Sequence, residues 1–282
     1  MRLLSSIPLL SFAAPPCAAE LAPEPQHLFS NPPASKSDYR IPTSYESAVL
    51  GRRILALTPL GTLATVFPSS SASDGQQYSS QENRPHGLGG LPLGLTEYVA
   101  DCEEAGNPTF LAIKIGTSFK NAQAGSNVSL AQQWEPVYPP DKRIKSTAAS
   151  FLDRWLGFGH GKDDDEPKEK KPFSAANLPR FSLLGYFEEI DEAATADLSE
   201  CFVKQHPDAK YWLPGNRIHE SQFVRLVVQQ VYWVGGFGDR AYIGWIPVEE
   251  WNNVTRAEWE DVRLPGEKKG WKEWSALSWE DL

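Results

Sequence analysis

The chain has 282 residues, of which 41% are hydrophobic, and it carries a formal net charge of -9 with 23 prolines and 21 glycines. This apolar content suffices for one sizeable core, and the frequent prolines and glycines favour an all-β or α+β architecture over a helical bundle. The acidic balance argues against general nucleic-acid binding, which needs concentrated Lys and Arg to release counterions from phosphates.

The N-terminus has the order of a secretory signal peptide. A single basic residue, Arg2, is followed by an apolar stretch at 3–14 and by small residues that allow cleavage after Ala19. We therefore predict a signal peptide over residues 1–19, the alternative being an apolar tail. Since no later stretch approaches the roughly 20 apolar residues of a membrane-spanning helix, we expect a secreted or lumenal protein without a membrane span.

The sequons and the cysteines are consistent with secretion. N-glycosylation is predicted at Asn127 and Asn253, which open the sequons Asn-Val-Ser and Asn-Val-Thr. Once the signal peptide has been removed together with Cys17, the remaining cysteines are Cys102 and Cys201. In an oxidising compartment this pair can form a disulfide, but two buried free thiols are an equally open interpretation.

The first ordered element is predicted to be a helix. Residues 20–42 are rich in Pro, Ser and Asn, which predicts an extended, poorly ordered arm. Order is expected to begin at Thr43, because Thr43 and Glu46 have the spacing of a capping box. The helix that follows is expected to end before Pro59.

The next segments predict strands separated by a long loop and a short helix. Residues 61–67 read as a strand with β-branched side chains, and the Ser-, Gln- and Asp-rich residues 68–86 read as a loop. A strand at 87–93 comes next, and a polar-apolar stretch through Tyr98 and Cys102 then predicts a short helix. A strand at 109–115 follows it.

The regular pattern breaks down between about residues 134 and 179. Residues 162–171 carry five acidic and four basic side chains. Because such a run cannot bury itself, we predict a solvated insertion in the domain. The alternative is a docking strip for a charged partner.

Structure resumes with a half-buried strand that begins at Phe181 and alternates apolar and polar positions. An amphipathic helix is predicted next, with Leu198 and Cys201 on its apolar side. The best strand of the chain lies at 223–234, and a glycine-rich turn connects it to a second strand at 241–246.

The C-terminal stretch, residues 256–282, combines many charges with four of the ten tryptophans. These are Trp259, Trp271, Trp274 and Trp279. We predict an extension that docks its indole rings onto the rest of the protein. An exposed partner-binding tail would have the same composition.

Six short strings share their order and spacing with one known family. They are Gly61-Thr62-Leu63-Ala64-Thr65-Val66, Gly90-Leu91-Pro92, Asn107-Pro108, Gly116-Thr117-Ser118-Phe119-Lys120-Asn121-Ala122, His206-Pro207-Asp208-Ala209 and Trp233-Val234-Gly235-Gly236-Phe237-Gly238. By these strings, residues 43–255 resemble the CREG-like branch of the pyridoxamine-phosphate-oxidase-like split barrels, in particular its secreted fungal-type members.

The resemblance implies a mainly β fold: a six-stranded antiparallel Greek-key split β-barrel of the FMN-binding type, with flanking helices. It also implies a homodimer. In flavin-binding relatives the cofactor lies in the groove between two subunits. CREG-like members are similar secreted glycoproteins in which this groove is altered or occluded, so the resemblance implies that no cofactor is bound.

A flavin site needs Arg or Lys around the phosphate of FMN. In the stretch that matches the flavin-binding relatives, Thr96 supplies a hydroxyl, but Glu97 brings the wrong charge and no basic residue follows. Arg84 and His86 lie upstream and could fold over this stretch. FMN held with the help of Thr96, Arg84 and His86 is therefore the alternative to a cofactor-free groove, and a resemblance of the last two strands to bacterial haem-utilisation proteins leaves haem open as well.

Catalytic and metal sites are not predicted. The five histidines are scattered, and the sequence contains neither a Gly-x-Ser-x-Gly elbow nor a Cys-x-x-Cys pair. The sequence thus favours a secreted binding or structural module for an unidentified protein or small-molecule ligand. An FMN- or haem-linked oxidoreductase of the same fold is the alternative.

Overall fold

The computed structural model describes residues 40–69, 85, 87–140, 173–191, 195–238 and 241–271. Several predictions fall outside these residues: the signal peptide, nearly all of the N-terminal arm, the charged run at 162–171, and the residues Arg84, His86, Trp274 and Trp279.

Helices and strands alternate along the described part of the chain. They are α1 Ser44–Leu57, β1 Leu60–Val66, β2 Pro92–Tyr98, β3 Thr109–Ile113, α2 Thr117–Gln123, β4 Val128–Gln133, β5 Arg180–Glu189, α3 Thr195–Gln205, β6 Ser221–Val234, β7 Ile243–Ile246, α4 Val248–Asn253 and α5 Arg256–Asp261. Short 3-10 helices cover Ala175–Asn177 and Pro207–Tyr211.

The strands form one antiparallel sheet in the order β2-β1-β4-β5-β6-β3, and β7 pairs with residues 231–234 of β6, beyond the part of β6 that pairs with β3. Between the two end strands, the described residues form a single isolated bridge, Ala100 to Thr109, so the sheet is not closed into a cylinder. The predicted antiparallel split-barrel class is confirmed. The strand number is seven rather than six, because residues 243–246 add a strand beside β6.

Several elements were predicted correctly from the pattern of their own residues. The capping box of α1 is present, since Thr43 accepts a hydrogen bond from the Glu46 amide and Glu46 accepts one from the Thr43 amide. The strands predicted at 61–67 and 223–234 and the helix around Cys201 correspond to β1, β6 and α3.

The predicted short helix through Tyr98 and Cys102 is wrong. Its first part is β2, which pairs with β1 along the whole length from Leu60 opposite Tyr98 to Val66 opposite Pro92. Pairing with a neighbouring strand overrides a weak local preference, and the alternating residues 93–98 are compatible with an extended chain. The sequence patterns also gave no sign of β4, which lies between β1 and β5.

The core has two parts. The larger cluster fills the space between the sheet and the helices α1, α4 and α5, and its largest fully buried side chains include Trp233, Trp251 and Phe110. A smaller cluster lies under α3, where Leu198 and Phe202 are buried. Next to it, a disulfide joins Cys102 to Cys201, with Cα atoms 5.9 Å apart. Of the two interpretations that the sequence left open, the structure has the bridged one.

Two tryptophans of the C-terminal stretch contact the domain. Trp259 is buried in the larger cluster, and its carbonyl accepts a hydrogen bond from Arg53 at 3.2 Å. The Trp271 indole donates to the carbonyl of Tyr138 at 2.7 Å. For these two residues the structure agrees with intramolecular docking.

A buried arginine ties three segments together. Arg52 of α1 is 1% exposed and donates to the carbonyls of Glu104 at 3.0 Å, Val254 at 3.2 Å and Trp251 at 3.4 Å. Its guanidinium lies 3.7 Å from the carboxylate of Asp101. The loop before β3 and the C-terminal helices are thereby attached to α1 through one cationic side chain.

Burial raises the pKa of the Asp101 carboxyl group. Removal from water raises the pKa of Asp101 to about 6, against the lowering effect of Arg52. Because the folded-state pKa exceeds the ordinary value of 3.8, Asp101 contributes stability that is fully present below that value and is lost as the pH rises through about 6. At 1.36 kcal/mol per pKa unit the contribution is about 3 kcal/mol.

We therefore expect the free energy of unfolding to fall between pH 4 and pH 6.5 more steeply in the wild type than in Asp101→Asn. Urea unfolding at several pH values measures the difference. Parallel profiles for the two proteins would contradict the raised pKa.

Candidate functional site

The outer face of the sheet carries a continuous uncharged surface. One row of paired residues crosses six strands: Thr96, Thr62, Ala131, Ser182, Tyr232 and Trp245. The adjacent row consists of Gly94, Ala64, Ser129, Leu184 and Gln230. We call these two rows the outer sheet face. All eleven side chains are uncharged, and all are exposed or half-buried.

Alternation along the strands produces this face. The residues between the two rows, such as Leu63, Leu130 and Leu183, point to the opposite side and are fully buried in the core. At the edge of the face, Trp245 is 49% exposed and its ring packs 5.1 Å from that of Tyr232. Large aromatic and small uncharged side chains are thus left in contact with solvent over a broad area.

A groove of about 630 Å³ opens at one end of the outer sheet face. Thr62, Thr96 and Ala131 contribute to it from the sheet, and Glu135 and Glu267 bring carboxylates. Among the described residues, no Arg or Lys lines the groove. Arg53 lies beside the groove residue Glu267. Its guanidinium makes a bidentate contact with the Glu267 carboxylate, with N–O distances of 2.5 and 2.9 Å.

The predicted site residues separate in the structure. Thr96 is exposed on β2 and lines the groove, whereas Arg84 and His86 are outside the described residues. Glu97 lies on the opposite face of β2, because side chains alternate along a strand. The acidic residues that line the groove together with Thr96 are instead Glu135 and Glu267, of which Glu267 is paired with Arg53.

Glu97 belongs to a polar cluster beneath α2. Its carboxylate accepts a hydrogen bond from Ser118 at 3.1 Å, and partial burial raises its pKa. Asn121, one turn after Ser118, donates to Thr65 of β1 at 3.1 Å. Ser118 and Asn121 are fully buried, so the string at 116–122 attaches α2 to β1 and β2. The three-residue spacing of Ser118 and Asn121 was the available signal for this shared helix face.

The structure also describes the surroundings of His206, the possible metal ligands and the two sequon asparagines. His206 is buried, stacks on Tyr98 with ring centroids 4.5 Å apart and lies 2.9 Å from the carbonyl of Val99. Burial lowers the pKa of His206, which favours the neutral ring. In the part of the chain that is described, no three His, Cys, Asp or Glu residues are grouped to hold a metal ion. Asn127 and Asn253 are both exposed.

The split antiparallel sheet with its flanking helices defines the class of protein, a split β-barrel domain. The sequence profile described as "CREG, beta-barrel" matches residues 42–253. The chain therefore belongs to the CREG beta-barrel family. No curated protein sequence shows significant similarity to it. None of the described helices is long and apolar enough to span a bilayer.

Some solved structures are similar to this chain at low sequence identity. A haem binding protein from Mycobacterium smegmatis is 18% identical with a TM-score of 0.46, and the match covers 76% of this chain and 61% of that one. A FAD-binding protein from Mesorhizobium loti is 14% identical with a TM-score of 0.36, covering 69% and 96%. A putative pyridoxamine 5'-phosphate oxidase from Lactobacillus delbrueckii is 16% identical with a TM-score of 0.30, covering 64% and 90%.

These similarities concern the fold alone. This chain spans less than two thirds of the length of the Mycobacterium smegmatis protein.

Proposed function

We propose that this chain is a secreted, glycosylated split-barrel module without catalytic activity, which forms a homodimer through its outer sheet face. The observation that carries the proposal is the uncharged row that crosses six strands from Thr96 to Trp245. Interface cores are depleted in charged residues and enriched in Tyr and Trp, and this row contains no charge but both Tyr232 and Trp245.

A second copy is the partner that fits this face. Dimers commonly pair the same surface patch about a two-fold axis, and a surface without charges can meet itself without like-charge repulsion. At the centre of the face, Ala131 and Thr62 are small, so two sheets can approach closely there.

Export is supported by independent features. The N-terminal sequence has the order of a signal peptide. The asparagines of both sequons are exposed, and Cys102 and Cys201 form a disulfide of the kind found in oxidising compartments.

Substitution Ala131→Glu tests the homodimer. Two glutamates would meet in the interface, and like-charge juxtaposition costs several kcal/mol, so we expect the dimer Kd to rise by about 100-fold or more. Sedimentation equilibrium at micromolar protein concentration measures the change. Ala257→Glu is the matched control, since Ala257 is exposed on α5, away from the sheet.

A wild-type protein that sediments only as a monomer would contradict the homodimer. So would an Ala131→Glu variant that dimerises as tightly as Ala257→Glu.

A second candidate function is an FMN- or haem-linked oxidoreductase. The groove has the size of a small-molecule site, for which about 300–1,000 Å³ is usual, and Thr96 offers a hydroxyl in it. The described lining does not fit FMN, because it contains no Arg or Lys to neutralise a phosphate, and the neighbouring Arg53 is already paired with Glu267. Purification of the protein with near-stoichiometric flavin or haem absorption would favour this second candidate.

A further inference from the structure

Both sequons have the same unusual environment in the folded domain. Each begins with an exposed asparagine, but the valine that follows is almost completely buried: Val128 is 2% exposed and Val254 is 1% exposed. The hydroxyl at the third position, on Ser129 or Thr255, is hydrogen-bonded within the protein.

The first sequon is built into the sheet. Val128 and Ser129 belong to β4, where Ser129 pairs with Ala64 of β1 on one side and Leu184 of β5 on the other. The Ser129 hydroxyl lies 2.7 Å from the hydroxyl of Ser182. Its backbone and side chain are therefore fixed by both neighbouring strands.

The second sequon is built into a helix start. Thr255 caps α5, and its hydroxyl donates to the carboxylate of Glu258 at 2.7 Å. That carboxylate also accepts a hydrogen bond from Tyr45 of α1 at 2.6 Å. The carbonyl of Val254 accepts from the buried Arg52 at 3.2 Å. Thr255 itself is exposed, so the burial of Val254 and its contact with Arg52 are what hold this tripeptide in place.

We infer that Asn127 and Asn253 accept an N-linked glycan only before the domain folds, so that folding ends their modification. The inference rests on the proposed export and glycosylation. In the transfer, the side-chain nitrogen of asparagine bonds to the anomeric carbon of a lipid-linked oligosaccharide, the lipid diphosphate leaves and the amide loses one proton. Because the sequon requires Ser or Thr at its third position, the transferase must reach that hydroxyl together with the asparagine. In the folded chain the buried Val128 and Val254 hold both tripeptides against the domain, so the transferase cannot bind the asparagine and the hydroxyl together.

The test uses the full chain without its signal peptide, produced without glycans and with the disulfide formed. A short Gly-Ser linker ending in Asn-Ala-Thr is appended after Leu282 as an internal control sequon. The folded protein and the same protein after reduction and unfolding are incubated with oligosaccharyltransferase and lipid-linked oligosaccharide. Mass spectrometry of peptides then gives the occupancy of each asparagine over time.

We expect the folded protein to be modified at the appended sequon, and Asn127 and Asn253 to react at least about tenfold more slowly, because each needs a local opening of the domain. In the unfolded chain all three sites should react at similar rates.

Two results would overturn the inference, and they differ in their meaning. Modification of folded Asn127 or Asn253 as fast as the appended site would refute the folding dependence and leave the proposed glycosylation intact. An unfolded chain modified only at the appended site would refute both.

Discussion

Replacing Arg52 with leucine is expected to lower the free energy of unfolding by about 3–5 kcal/mol, the cost of removing one partner from a buried ion pair. The substitution leaves the carboxylate of Asp101 without its cation and the carbonyls of Glu104 and Val254 without their donor. Buried polar groups that lose their partners retain their full desolvation cost. Urea unfolding followed by tryptophan fluorescence measures the effect.

Arg256→Leu is the matched control for this prediction. Arg256 also contacts acidic side chains, Glu104 and Glu260, but its own side chain is 55% exposed and theirs are 78% and 53% exposed. Exposed pairs of this kind contribute about 0–1 kcal/mol. Equal losses for Arg52→Leu and Arg256→Leu would contradict the assignment of Arg52 as the buried connection between α1, the loop before β3 and the C-terminal helices.

Removing the disulfide is expected to have a comparable effect. The cysteines are 99 residues apart in sequence, and a loop of roughly this length corresponds to about 4–5 kcal/mol of lost unfolded-state entropy. The double substitution Cys102→Ser and Cys201→Ser should therefore lower the midpoint of urea unfolding strongly. We expect hydrogen exchange to increase most in α3, whose apolar side packs on the smaller core cluster.

The control is the wild-type protein unfolded in the presence of a reductant. It should have the stability of the double variant, because both lack the same covalent link. A reduced wild type that is as stable as the oxidised protein would show that the bridge constrains the chain little.

Elements with a strong local pattern were predictable from the sequence. The capping box of α1, the alternation in β5 and the apolar side of α3 each need only contacts between residues close in the chain. β2 was not predictable in this way, because its extended conformation depends on pairing with β1 across a loop of about two dozen residues. The same holds for β4, which is held between two partners.

The candidate site was less predictable than the fold for the same reason. Thr96 and Glu97 are neighbours in sequence, and the proposed phosphate clash assumed that both face one ligand. In a strand they face opposite sides, and only the register of β1, β2 and β4 places Thr96 beside Thr62 and Ala131. The carboxylates that do line the groove, Glu135 and Glu267, are far from Thr96 in sequence.

The outer sheet face illustrates the limit of sequence reasoning most clearly. Its main row joins one residue from each of six strands, and no short motif connects positions 62, 131 and 232. Each residue alone is an ordinary uncharged strand position. The absence of charge along the row becomes visible only after the strands have been ordered.

Titration of the purified, disulfide-bonded protein with FMN and, separately, with riboflavin tests the central claim most directly. The two ligands differ only in the phosphate group. Because the described lining of the groove contains no Arg or Lys to meet that group, and Arg53 beside it is paired with Glu267, we predict that FMN binds no more tightly than riboflavin, with a Kd weaker than about 1 mM for both. Micromolar binding of FMN that riboflavin does not match would contradict the account.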